Sequence, residues 1–344
     1  MLVPVITTEH SAGDRAEITD QELATAGEIL DRIATRYDER LVGHERLRTS
    51  LLVTLLAEGH ILLESLPGLA KTTAAATLAG TVNASFSRIQ CTADLLPSDI
   101  IGTEVYDPSA ATFSTRLGPV HAHFVLLDEI NRSNAKTQSA LLEAMQERQT
   151  SIGGVMYPVP SPFMVLATQN PIEDEGTYVL PRAQIDRFLL KEVIDYPSAD
   201  EELEVLNRID SGVLGTRTPE TAGVVSIAEV RYLIGLAARV YVDESVKRYA
   251  VAIAQATRDL GHVIDPELAG YVEFGASPRG SIALQQASRA FALLERRSYV
   301  LPEDIRRQCH GVLRHRLHLG FQAIADDVRP ETIIDAVMAA VPTP

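Results

Sequence analysis

Along the first two-thirds of the chain, short runs of consecutive apolar residues alternate with stretches whose apolar positions recur every three to four residues. Strand-like runs at 60–64, 86–91, 124–127, 163–168 and 188–194 are the candidate strands. Between them, 72–82, 135–147 and 183–186 predict helices. This alternation predicts an α/β fold, a parallel five-stranded sheet with flanking helices. Segment 149–159 carries Gly153 and Gly154 in its middle and predicts a β-hairpin turning there. Ahead of the sheet, Thr19 and Glu22 form a capping box that opens a helix towards Tyr37, and a second helix follows to about residue 58. Residues 1–18 lack periodicity and read as a loose tail. Segment 211–225 is rich in Gly, Thr and Pro with little periodicity, and reads as a linker. Ser226 and Glu229 then form another capping box, and the pattern stays helical almost to the end. The expected organisation is therefore a tail (1–18), an α/β core (19–210), a linker (211–225) and a smaller all-α domain (226–344), with no internal repeat.

A chain of 344 residues suits two such domains with a real hydrophobic core. Its 46 acidic against 31 basic side chains leave a net charge of −15, which disfavours a broad nucleic-acid footprint. Cys91 and Cys309 lie far apart without metal-ligand spacing and read as buried, idle thiols. The N-terminus has no basic region ahead of its short apolar run, and no stretch approaches the ~20 apolar residues of a membrane helix. The expected location is the cytoplasm.

Candidate chemistry clusters at strand ends. The run Phe124-Val-Leu-Leu ends in Asp128 and Glu129, delivering two carboxylates to the tip of a buried strand. Upstream, Ser65, Leu66, Pro67, Gly68, Leu69, Ala70, Lys71, Thr72 and Thr73 join a strand to a helix, as a phosphate cradle requires. Glycines are missing at 65 and 70, but Gly68, Lys71 and Thr72 remain. Backbone N–H groups and the helix N-terminus would bind phosphates, Lys71 would add charge, and the Thr72 hydroxyl would reach Mg²⁺. Asp128 would hold Mg²⁺ through water, and Glu129 would polarise the attacking water. The plain alternatives are a chance strand–turn–helix and a helix start enriched in acids. Asn170 follows another buried strand and could orient the water, although Asn-Pro also starts turns. Arg187 and Arg279 stand at helix ends, where an arginine more often caps carbonyls or solvates a face.

These stretches together resemble the MoxR family of AAA+ ATPases. The matching segments include Asp128-Glu-Ile-Asn-Arg132, the helix Ala135-Lys-Thr-Gln-Ser-Ala-Leu-Leu-Glu-Ala-Met-Gln-Glu147, Gln184-Ile-Asp-Arg-Phe188 and Gly275-Ala-Ser-Pro-Arg279. The resemblance covers roughly residues 20–320 and implies an AAA+ P-loop core with a helical lid. It implies that ATP and Mg²⁺ bind at Lys71 and Thr72 (Walker A) and at Asp128 and Glu129 (Walker B), with Asn170 as sensor 1. Arg187 would be an arginine finger reaching a neighbour's ATP, and Arg279 a lid sensor contacting the γ-phosphate of its own chain. Loss of that phosphate would then release Arg279 and let the lid swing. Val42 and Gly43 resemble the segment that packs on adenine, and the Gly153-Gly154 hairpin an insertion facing a ring's central pore. The resemblance further implies a hexameric ring acting as a chaperone-like remodeller, often with a partner containing a von Willebrand factor A domain. Ser65, His44, Val179 and Arg182 depart from the family pattern.

Two rivals share these motifs: a nucleic-acid motor, disfavoured by the net charge, and a nucleotide-gated scaffold with little turnover. Arg306, His310, Arg314 and His318 recur every four residues, predicting one cationic helix face. That face is either solvated or packed between subunits, or a docking surface for an acidic partner.

Overall fold

A computed structural model of the chain describes residues 17–65, 69, 71–170, 178, 180–213 and 223–344. The tail expected at 1–18 and the linker expected at 211–225 therefore lie largely outside the described residues. Two helices come first, α1 (Asp20–Asp38) and α2 (Glu45–Leu56). Thr19 and Glu22 form the expected capping box on α1, each bonding the other's backbone N–H.

The core then runs β1 (Ile61–Ser65), α3 (Lys71–Thr81), β2 (Phe86–Gln90), α4 (Pro97–Ile101), β3 (Gly102–Asp107), β4 (Thr112–Leu117) and β5 (Phe124–Asp128). It continues through α5 (Ala135–Glu147), β6 (Gln149–Ile152), β7 (Val155–Pro158), β8 (Met164–Gln169), α6 (Arg182–Ile185), β9 (Leu190–Ile194) and α7 (Ala199–Asp210). Five of these strands form one parallel sheet in the order β2-β5-β8-β1-β9. Alternation along each strand feeds two buried layers. Ile61, Leu63, Phe124, Leu126 and Leu166 enter one apolar cluster, while Leu62, Val125, Leu127, Val165 and Ala167 enter the other. Burial on both faces is why the central strands β5, β8 and β1 read as continuous apolar runs, whereas the edge strands β2 and β9 are only partly buried.

The remaining elements are α8 (Ile227–Arg239), α9 (Glu244–Ala256), α10 (Pro266–Gly270), β10 (Val272–Phe274), α11 (Pro278–Leu294), α12 (Pro302–Leu313), β11 (His318–Leu319), α13 (Phe321–Ala325) and α14 (Pro330–Ala340). This region is helical as expected, apart from the small β10–β11 ribbon. Its central helix, α11, packs on α8, α9 and α12 and also on α2. The first apolar cluster thus runs unbroken from the sheet into the lid.

Two features differ from the sequence reading. β3 and β4 form an unforeseen hairpin whose side chains are nearly all exposed, including Phe113 and Tyr106. No core-facing alternation marks it. The expected cationic helix face also does not exist as a surface. α12 ends at Leu313, and His318 lies in β11. Arg306 donates to the Tyr249 hydroxyl and the Met338 carbonyl, His310 pairs with Asp335, and Arg314 is buried against Glu331 at 3.0 Å. Arg306, His310 and Arg314 lie on the seam where α9 and α14 pack, so their charges are met within the lid. The hairpin expected at 149–159 is present as β6–β7, with Gly153 and Gly154 both at positive φ in its turn.

Candidate active site

Where β5 ends, Asp128 and Glu129 emerge together, and the chain bends sharply there. Glu129 takes a left-handed backbone conformation (φ 57°) before a tight 3-10 turn at Ile130–Arg132. For a side chain of this kind that costs on the order of 1–3 kcal/mol, a strain characteristic of functional sites. Thr168, fully buried on the neighbouring strand β8, ties the acids to each other. Its hydroxyl donates to Asp128 Oδ1 at 2.8 Å and accepts the Glu129 N–H at 2.8 Å. From the other side, Arg88 donates to Asp128 Oδ2 (2.6 Å) and Gln90 Nε2 donates to Glu129 Oε2 (3.0 Å). Arg132 sits 3.2 Å from the same Glu129 oxygen. Arg88, Gln90 and Thr168 were not identified from the sequence. The available signal was the alternation in β2, which buries Ile89 and turns Arg88 and Gln90 towards Asp128 on the paired strand. Cys91, the next residue, is no nucleophile: burial pushes its thiol up to about 12, as it does that of Cys309.

The cradle side is built from the end of β1 and the start of α3. Lys71 is the first residue of α3 and its Nζ donates to the Ser65 carbonyl at 3.2 Å. Thr72 is half-buried beside it, Thr73 is exposed, and Leu69 is buried. Leu66, Pro67, Gly68 and Ala70 lie outside the described residues. Ser65 is an ordinary extended strand residue paired opposite Ile194, so serine gives up no backbone freedom there. Asn170 is buried directly after β8, beside the ends of β1 and β5. Gly43, at φ 69°, lies so close to Glu201 that a Cβ would stand 2.2 Å from its carboxylate oxygen. Gly43, just ahead of α2, thus lies against the first turn of α7.

This donor set fits a magnesium nucleotide. One hydroxyl (Thr72) and one carboxylate (Asp128) are the few hard oxygen ligands Mg²⁺ takes from protein when phosphates and water supply the rest. Among the described residues, no group of three or more His, Cys, Asp or Glu makes a self-sufficient metal cage. The N-terminus of an eleven-residue helix adds the dipole that favours phosphate.

Arg187 and Arg279 are elsewhere. Both line a cavity of about 290 Å³ that also touches Gly59, His60 and Met145, at the amino-terminal end of β1. The five residues of β1 separate that cavity from the Lys71 side, a strand length of roughly 16 Å. In this arrangement Arg279 lies away from the cradle of its own chain, where a lid sensor acting on its own nucleotide was expected. The reason is topological: α11 enters beside the start of β1, not beside its end. Arg148 and Arg316 line the same cavity, with Glu58 and Asp186 as its acids. The Arg187 Nε is buried without a hydrogen-bond partner.

Comparison with known proteins bears on the family and the fold. Residues 60–190 match the ATPase family associated with various cellular activities (AAA), and 268–337 match the AAA lid domain. The chain is 46% identical to the protein named Chaperone MoxR1 of Mycobacterium tuberculosis, over 97% of this chain and 88% of that protein. It is 42% identical to YeaC of Bacillus subtilis, an uncharacterized protein, over 92% of this chain and 95% of that one. Protein MoxR of Paracoccus denitrificans is 31% identical over 88% and 93%. A crystal structure from Cytophaga hutchinsonii, 39% identical, superposes with a TM-score of 0.88 over 94% of this chain and 98% of that one.

Proposed function

Because the chain belongs to the MoxR family of AAA+ ATPases, we propose that it hydrolyses Mg-ATP at sites completed between neighbouring copies of itself. The observation that carries this reading is the separation just described: paired acids and cradle at one end of β1, and the arginines at the other. A single copy thus holds two complementary half-sites, and a neighbour set head to tail would join them.

In this reading Lys71 and the α3 N-terminus hold the phosphates, and Val42 and Gly43 flank the base. Mg²⁺, held by Thr72 and Asp128, would offset phosphate charge. Glu129 orients the attacking water and takes its proton, with Asn170 fixing the water's other side. The tight hold of Thr168 and Gln90 on the Asp128–Glu129 corner supports such a role, since water must be aimed to within a fraction of an ångström. Arg187 and Arg279 of the adjacent copy stabilise the charge that builds on the transferred phosphoryl group.

The assembly would be a closed ring, a hexamer by family resemblance, acting on a client protein. The Mycobacterium tuberculosis relative is named a chaperone, which supports remodelling, with a von Willebrand A-domain protein as candidate partner. Among the described residues no helix is long and apolar enough to cross a membrane; the location in this reading is the cytoplasm. The test is ATP turnover per chain across protein concentration, with Glu129→Gln as control. Specific activity should rise with concentration and vanish in the variant. Turnover independent of concentration would remove the shared site, and bound but unhydrolysed ATP would leave a nucleotide-gated scaffold.

A further inference from the structure

Arg187 belongs to the core and Arg279 to the lid, yet one carboxylate stands between them. Asp186, at the end of α6, accepts from Arg316 Nε at 2.9 Å on Oδ1 and from the Ser277 hydroxyl at 2.8 Å on Oδ2. Ser277 is the N-cap of α11, and having donated its proton to Asp186, its oxygen accepts the Arg279 N–H at 3.1 Å. The relay thus runs from the residue before Arg187 to the backbone of Arg279, with each direction fixed by donor chemistry.

Arg316 closes the knot from below. Its side chain is only 3% exposed. It donates to the carbonyls of Asp186 (3.2 Å), Phe188 (2.7 Å) and Leu189 (3.2 Å), gripping the backbone on both sides of Arg187. His315 adds a bond to the Phe188 carbonyl at 3.1 Å. Burial pulls Arg316 down to about 10, with Asp186 opposing it, so this charge is held by Asp186 together with the carbonyls around it.

We propose that Asp186, through Ser277 and Arg316, is a positioning residue that locks Arg187 and Arg279 into one two-pronged edge aimed at the terminal phosphates of a neighbour's nucleotide. The proposal rests on the reading that both arginines act in trans. It also reverses the idea of a lid that swings when γ-phosphate is lost. At this joint, core and lid carry their arginines as one body, and motion passes between subunits.

The test starts from Arg187→Ala and Arg279→Ala, each mixed with Lys71→Ala chains that keep both arginines but have lost the cradle lysine. If the arginines act in trans, mixing restores turnover at mixed interfaces; if it does not, that reading and the lock fall together. With rescue established, Ser277→Ala cuts the relay while keeping the buried Asp186–Arg316 pair. We expect its kcat to fall about tenfold to a hundredfold with KM within about twofold, the penalty of misaligned groups. Ser277→Thr should restore it, and Ser277→Ala should add little to Arg279→Ala, as expected for residues acting as a unit. A Ser277→Ala protein with normal kcat, or one whose loss simply multiplies that of Arg279→Ala, would overturn the lock while leaving the shared site standing. Asp186→Asn, provided it folds, should match Ser277→Ala; wild-type turnover in it would overturn the lock equally.

Discussion

At the scale of single residues, Thr168 carries a weight that its hydroxyl alone would not suggest. It is fully buried, and it is the link through which Asp128 and the Glu129 backbone hold each other. Thr168→Val keeps the shape but strands one carboxylate oxygen and one N–H, at a cost of about 1–3 kcal/mol. Denaturant midpoints should fall accordingly and turnover should drop about tenfold, whereas Thr168→Ser should keep both. Unchanged turnover in the valine variant would mean that the Asp128–Glu129 corner is held by Arg88 and Gln90 alone. The two acids were legible in the sequence because a buried apolar run ending in Asp-Glu sets both carboxylates at a strand tip, whatever the rest of the fold does. Their supports were not, because Arg88, Gln90 and Thr168 reach them across strands, and only the pairing register brings them together.

At the scale of elements, sequence and structure agree best where local chemistry decides. α5 begins and ends as read, since Asn134 caps its first N–H groups and Arg148 closes it in a left-handed turn. The core strands match within two residues, the central three because both their faces are buried. The β3–β4 hairpin escaped because it buries neither face, and the arginine–histidine row misled because period four continued past the helix that was supposed to carry it. His60 shows how elements are joined. Its Nδ1 accepts the Val165 N–H of β8 at 3.0 Å, so Nε2 carries the proton and donates to the Met145 carbonyl of α5 at 3.1 Å. Burial lowers its pKa from 6.5 to about 4. Because the folded state disfavours the charged ring, the contribution of His60 is complete above pH 6.5 and is lost as pH falls towards 4, about 3 kcal/mol in all. His315, also buried and held well below its ordinary value, acts in the same sense. Urea midpoints measured between pH 7 and 4 should therefore decline, and His60→Gln should flatten part of the slope. An equally steep slope in that variant would move the effect to other groups.

At the scale of the whole molecule, a single copy leaves apolar surface that its own fold does not use. α7 buries none of its side chains, and Leu203, Leu206 and Ile209 stand 57%, 58% and 48% exposed, three residues apart on one face. On the lid, Phe321 and Ile324 of α13 are 83% and 74% exposed. Exposed apolar stripes of this kind mark interaction surfaces. α7 also lies beside the segment proposed to flank the base, for Glu201 abuts Gly43 and Arg208 donates to the Asp38 carbonyl at 2.7 Å. A neighbour bringing its arginines to the cradle would pass over this helix. Where the lid lands could not be read from local pattern, since it depends on α11 packing against α2 and the start of β1. If α7 faces the next copy, Leu206→Glu should weaken assembly and turnover together, with little change in the unfolding midpoint because nothing buried is altered. Sedimentation velocity at matched concentrations would check this. An assembly that survives the charge, with normal turnover, would put the subunit contact elsewhere and leave the α7 stripe for a different partner.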